Sequence, residues 1–182
     1  MRRSITLATL LASTALLLGA SGASAFTNVT VGAPISMQLS SATFTQGSIS
    51  NCTGSNMALT VTQDPGPGAG GALEIHTASF SGCTYFGGAA TYTPDMTTPW
   101  PVTINGAGTT TIRNFNYTLR YGQQLVCHYS GDLAGAYTQS TGNLVLSGSL
   151  TRRSGSSLCT STAAVSGTYR LTLAGTTVPV TL

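Results

Sequence analysis

Apolar and small polar residues alternate at every second position through most of the chain beyond residue 50. Met57, Leu59 and Val61 alternate with Ala58, Thr60 and Thr62, and Leu73, Ile75 and Thr77 alternate with Glu74, His76 and Ala78. The pattern returns in Phe115, Tyr117 and Leu119, in Leu125, Cys127 and Tyr129, in Leu144, Leu146 and Gly148, in Val165, Gly167, Tyr169, Leu171 and Leu173, and in Val178, Val180 and Leu182. A strand turns successive side chains to opposite faces, so a period of two marks sheets with one wet side; the helical period is missing. Threonine dominates the polar positions, where β-branching suits the pleat and the hydroxyl suits water. Turn signals separate the runs: Asp64-Pro65-Gly66-Pro67-Gly68-Ala69-Gly70-Gly71, Gly87-Gly88, Asn105-Gly106, Gly122, Gly131, Gly142-Asn143 and Gly155. Many short strands with regular punctuation predict an all-β chain folded as a single antiparallel β-sandwich or barrel-like domain. Position 64–71 is expected to join a hairpin, and no linker divides the chain.

The first 25 of 182 residues carry the marks of an export signal. Met1-Arg2-Arg3 is a positive start, Ile5 to Leu18 an apolar run, and Ala23-Ser24-Ala25 a small-x-small cleavage site, which makes 26–182 the secreted domain. The apolar run is shorter than the ~20 residues that cross a bilayer, so no membrane span is expected once it is removed. An extracellular or cell-envelope location follows.

Four cysteines, Cys52, Cys83, Cys127 and Cys159, remain in that domain. An even number in an exported chain points to disulfides. Three pairings are open; separations of 31 and 32 residues favour Cys52–Cys83 and Cys127–Cys159, two loops of matched length. In the chain-entropy picture each contributes about 3.5–4 kcal/mol. No two cysteines are close enough in sequence for the usual zinc or CxxC spacing, so neither a metal nor a redox pair is expected.

Charge is sparse, at 6% of residues, and there is no lysine. Such a chain lacks the basic face of a nucleic-acid binder and the composition of a helical bundle. It also lacks lysine to guard sheet edges; Pro34, Pro94, Pro99, Pro101, Pro179 and the arginines are the available guards. A Thr-rich surface of so little charge is suited to self-association or to adsorption on apolar surfaces, although a lysine-poor codon usage accounts for the same composition.

Catalytic sets are missing too. There is no G-x-S-x-G, no phosphate-cradling glycine motif with a lysine, and no D-x-D-x-D-G calcium loop. Candidate bases are His76, which shares a strand face with Glu74, and His128. Asp64, Asp95 and Asp132 sit beside Pro or Gly, where Asp commonly serves turns. The expectation is a chain without catalytic residues, metal or cofactor. Trp100, the only tryptophan, lies in Thr98-Pro99-Trp100-Pro101 and suits either a lid on the core or a stacking surface for a sugar or hydrocarbon. With Tyr85, Phe86 and Tyr117 it forms the candidate wall of an apolar binding site. Arg152-Arg153 suits either an anionic envelope polymer or a solvated loop.

Other residues carry a resemblance. The Ala-rich leader, the Thr77-Ala78-Ser79-Phe80-Ser81-Gly82 segment before Cys83, Pro99-Trp100-Pro101, Cys127-His128-Tyr129-Ser130-Gly131, Gly135-Ala136-Tyr137 and Ser166-Gly167-Thr168-Tyr169 resemble small exported β proteins of high-GC Gram-positive bacteria, a resemblance that implies a location and no activity. The segment before Cys83 and the Pro-Trp pair also resemble secreted proteins associated with alkane oxidation. That second likeness implies a surface-active, hydrocarbon-facing role. Three functions result: a non-enzymatic extracellular or cell-envelope binding or structural domain, a carrier of an apolar small molecule, and a surface-active or adhesive protein.

Overall fold

A computed structural model describes residues 29–40, 44–46, 49–64 and 70–181. The expected leader, residues 65–69 of the Gly/Pro segment and Leu182 lie outside these described residues. Ten antiparallel strands form one continuous sheet: β1 (Pro34–Leu39), β2 (Phe44–Gln46), β3 (Ser50–Gln63), β4 (Gly71–Tyr85), β5 (Gly88–Pro94), β6 (Trp100–Ile104), β7 (Thr109–Tyr121), β8 (Leu125–Thr138), β9 (Asn143–Gly155) and β10 (Thr162–Leu173).

The sheet closes on itself as a barrel. β1 pairs with β3 on one side and with β10 on the other, with Ile35 opposite both Leu59 and Leu173. β2 continues β1 between the same two neighbours, so these strands make one interrupted stave. β5 and β6 make a second, both lying between β4 and β7. Ten strands thus fill eight staves in an up-and-down order, a barrel whose interior is just wide enough to be packed with side chains. Barrel and sandwich share the same alternating signature, and closure is what distinguishes them. No helix among the described residues is long and apolar enough to cross a membrane.

The inward set matches the alternation. Met57, Leu59 and Val61 of β3, Phe115, Tyr117 and Leu119 of β7, Leu144, Leu146 and Leu150 of β9, and Tyr169 and Leu171 of β10 are buried. Inward glycines make room for them. A Cβ on Gly135 would stand 2.6 Å from the Val145 carbonyl oxygen and 2.8 Å from Leu146 Cδ2, so this position of β8 admits no side chain beside β9.

Four details depart from the sequence reading. In β4 the pairing Ala58↔Thr77 is followed by Leu59↔Ile75, so His76 is an extra, bulged residue. The bulge reverses the faces: Thr77 is exposed, while Ala78 and Phe80 pack on the core. Gly131 and Asp132 lie within β8, not in a turn; Asp132 Oδ1 instead accepts the Asn114 amide at 3.0 Å, where Asn114 (φ 57°) opens a bulge of β7. Gly155, taken as a turn signal, ends β9. The C-terminal run is no strand: only Thr172↔Pro179 bridges, Val178 is exposed, and Val180 is buried with its carbonyl accepting the Tyr137 hydroxyl.

Both cysteine pairs are disulfides as the spacing predicts. Cys52 and Cys83 are opposite neighbours on β3 and β4. Cys127 of β8 ties down Cys159 in the connection between β9 and β10. Both lie toward the barrel end formed by the β4–β5 and β7–β8 turns and the β9–β10 loop.

Candidate binding cleft at the barrel rim

The β4–β5 turn consists of Phe86 and Gly87, with φ of 49° and 78°. Two successive left-handed residues give the tight hairpin turn whose twist suits the flanking strands, a place usually held by Asn-Gly. Glycine adopts this conformation freely, while phenylalanine does so at a cost of about 1–2 kcal/mol. The Phe86 amide donates to the Ile49 carbonyl at 2.7 Å, which pins the turn to the start of β3. The result is an aromatic ring held at the barrel's end with 67% of its surface exposed. Its edge meets Tyr85 at 4.7 Å between centroids, and Tyr85 lies 5.4 Å from Tyr121.

Opposite stands Leu158, 78% exposed. Its loop is fixed from several sides: the neighbouring Cys159 is bonded to Cys127, the Ser156 amide donates to the Val126 carbonyl at 2.9 Å, and Arg152 Nη1 donates to the carbonyls of Ser156 and Cys159. Tyr85, Phe86, Tyr121, Leu125 and Leu158, with the Gly122-Gln123-Gln124 turn, line a cleft of about 620 Å³. Full burial of Phe or Leu is worth about 1.5–3 kcal/mol each, and here neither contributes that to folding. A ligand or surface that covers them recovers it. The lining is apolar with two amides and the tyrosine hydroxyls, and it contains no carboxylate, imidazole or thiol. Such a wall can hold and orient an apolar molecule.

Of the four residues proposed from sequence, the structure brings Tyr85 and Phe86 into this cleft. Trp100 and Tyr117 are elsewhere. Trp100 is fully buried, 4.7 Å from Phe115, and its Nε1 donates to the Asp95 carbonyl at 3.3 Å. Tyr117 is buried in the barrel between Tyr92 and Tyr129. Sequence reasoning missed Tyr121, Leu125 and Leu158. Leu158 carries a visible signal, an isolated large apolar residue in the Ser-Gly-Ser-Ser stretch beside a cysteine.

Below the rim the barrel is rich in tyrosine. The Tyr92 hydroxyl is paired with Ser50 Oγ, and the Tyr129 hydroxyl is bonded to the carbonyl and hydroxyl of Thr160. Burial, reinforced by neighbouring tyrosines, pushes the Tyr92 and Tyr117 hydroxyls well above their ordinary range, and burial also raises Tyr85. Tyr92 and Tyr117 are therefore neutral interior groups at ordinary pH. His76 and Glu74 do share the outer face, 3.9 Å apart, on the open barrel wall.

Comparison with known proteins gives one family. The family model described as alkane oxidation protein activator PraA/PraB-like matches residues 1–178. No curated protein and no solved structure matches the chain.

Proposed function

The chain belongs to the PraA/PraB-like alkane oxidation protein activator family, and from that premise we propose that it acts outside the cytoplasm as a non-enzymatic binder of apolar molecules through the rim cleft. The carrying observation is the pair Phe86 and Leu158, both held in water by rigid supports over an apolar wall. Two disulfides support an oxidising compartment. The family's description concerns alkane oxidation, and a chain that presents hydrocarbon to other proteins fits it without chemistry of its own.

The test is displacement of a polarity-sensitive dye by medium-chain n-alkanes. The Phe86→Ser/Leu158→Ser double variant is expected to lower affinity by about tenfold or more, from the loss of two apolar contacts. Unchanged affinity, or reproducible turnover of the alkane, overturns the reading. Trp100 emission is expected to stay constant, because that ring is sealed in the core. A second reading is end-on adsorption to a hydrocarbon surface, favoured by the two exposed side chains sharing one end of the barrel. It predicts lowered interfacial tension that the same double variant abolishes.

A further inference from the structure

A second cavity, about 340 Å³, lies in the barrel wall where three irregularities of the sheet meet. The first is the break between β5 and β6. Asp95 Oδ1 accepts the Thr97 amide at 3.1 Å, and the ladder to β7 stops at Pro94↔Tyr117 and resumes only at Val102↔Ile112. The second is the β7 bulge at Asn114. The third is in β9: Tyr129 pairs with Arg152 and His128 with Ser154, which leaves Arg153 as the extra residue. Bulges turn side chains out of the regular pleat and are frequent beside functional sites.

These irregularities place Asp95, Asn116, Thr118, His128, Ser130 and Arg153 around one groove. Three contacts orient polar groups of the groove. Asn116 Nδ2 donates to the Asn114 carbonyl at 2.9 Å, His128 Nδ1 is bonded to Thr118 Oγ1 at 2.8 Å, and Arg153 Nε donates to Ser130 Oγ. Among the described residues, two buried side-chain polar atoms lack a hydrogen-bond partner. The Tyr117 hydroxyl belongs to a ring packed inside the barrel against Tyr92 and Tyr129, whereas Asn116 Oδ1 belongs to a side chain on the groove's face of β7. An unsatisfied buried polar atom costs about 1–3 kcal/mol, so a ligand that bonds to it recovers that energy.

The chemistry selects the ligand. Arg153 donates hydrogen bonds, His128 Nε2 donates or accepts according to its tautomer, and Asn116 Oδ1 and the Asp95 carboxylate accept. The guanidinium and carboxylate balance in charge, so a phosphate or carboxylate ligand meets repulsion from Asp95. No large aliphatic side chain lines the groove. We infer that this wall groove binds a neutral polyhydroxylated molecule, a saccharide ring whose adjacent hydroxyls both donate and accept. The site is independent of the rim cleft. Together they make the barrel a two-site adaptor, glycan on the wall and apolar ligand at the rim.

The experiment is an amide-resolved NMR titration of the disulfide-intact protein with glucose, N-acetylglucosamine and their β-linked oligomers, and separately with inorganic phosphate. Support is a saturable shift confined to residues 114–118, 128–130 and 153–154 with at least one saccharide. Arg153→Ala and Asn116→Ala should each weaken it about tenfold while Leu158→Ser leaves it unchanged. Because Arg153 and His128 are exposed, Arg153→Ala and His128→Ala are expected to keep the dispersed spectrum of the fold. No saccharide shift, shifts only at the rim, or shifts with phosphate alone overturns the inference.

Discussion

Phe86 concentrates the relation between strain and use in one residue. Its left-handed backbone suits glycine, and its ring is mostly in water, so neither conformation nor burial explains phenylalanine here. Strain that the surrounding structure maintains is evidence for function only when an observed outlier supplies it, and this is such an outlier. Phe86→Gly is therefore expected to leave stability within about 1 kcal/mol, since relief of the left-handed conformation offsets the lost contact with Tyr85. Affinity for apolar ligands should fall in the same protein. Chemical denaturation and dye displacement on one sample separate the two effects; a large loss of stability would make the ring structural. The Phe86 prediction depends on a turn that the sequence marks by Gly87-Gly88, one position late. A phenylalanine before glycine looks like a strand end until the hairpin places it at the tip. Trp100 fails as a site residue for the opposite reason. Its flanking prolines do hold it extended, but β6 pairs it with Ile75 of β4 and packs its ring against Phe115, and only the strand pairing reveals which face is inside.

At the scale of elements, the two disulfides have different work. Cys52–Cys83 joins residues that the β3–β4 ladder already places opposite each other. Cys127–Cys159 ties a loop without ladder partners to β8, and that loop carries Leu158. Loop-closure entropy gives each about 3.5–4 kcal/mol, so the double variants Cys52→Ala/Cys83→Ala and Cys127→Ala/Cys159→Ala should lose comparable stability by denaturant titration. Their effects on apolar binding should diverge: near wild type for the first, several-fold weaker for the second, because the far wall of the cleft is released. Equal binding in both would show that Leu158 is positioned by Arg152 and the backbone alone. The pairing itself is legible in the matched cysteine spacings, as are β3, β7, β8, β9 and β10 in their alternation. β1, β2, β5 and β6 are not. They are short, they pair up to fill two interrupted staves, and β5 reads Gly-Ala-Ala-Thr-Tyr-Thr-Pro, with little apolar contrast. The reversal of faces in β4 is hidden as well, since a bulge at His76 leaves no mark in composition.

For the molecule as a whole, closure answers the question that the missing lysine raises. Open sheets need charged or bulged edges, whereas a barrel in which β1 pairs with both β3 and β10 has its staves partnered on both sides. Low charge is then compatible with an unaggregated all-β protein, and Phe86 and Leu158 at the rim are its two most exposed large apolar residues among those described. The same composition sets the response to alkali. With no lysine in the chain and all four cysteines in disulfides, tyrosine is the side chain that titrates between neutrality and the arginine range. Burial raises the hydroxyls of Tyr92, Tyr117, Tyr137 and Tyr169 above the ordinary value of 10.0. Between the unfolded and folded values the native protein holds protons that the unfolded chain has released, so stability falls as pH rises, by about 1.4 kcal/mol per pH unit per group. Below about pH 10 both states are protonated and these groups add no slope. Four such groups together steepen the loss to about 5–6 kcal/mol per pH unit, a large part of a typical total of ~5–15 kcal/mol. The protein is expected to hold its β circular dichroism up to about pH 10 and then unfold cooperatively, with tyrosinate absorbance rising in the same transition. Gradual ionisation of all seven tyrosines centred near 10 with the β signal intact would show that the buried rings reach solvent in the native barrel, and would overturn the sealed interior.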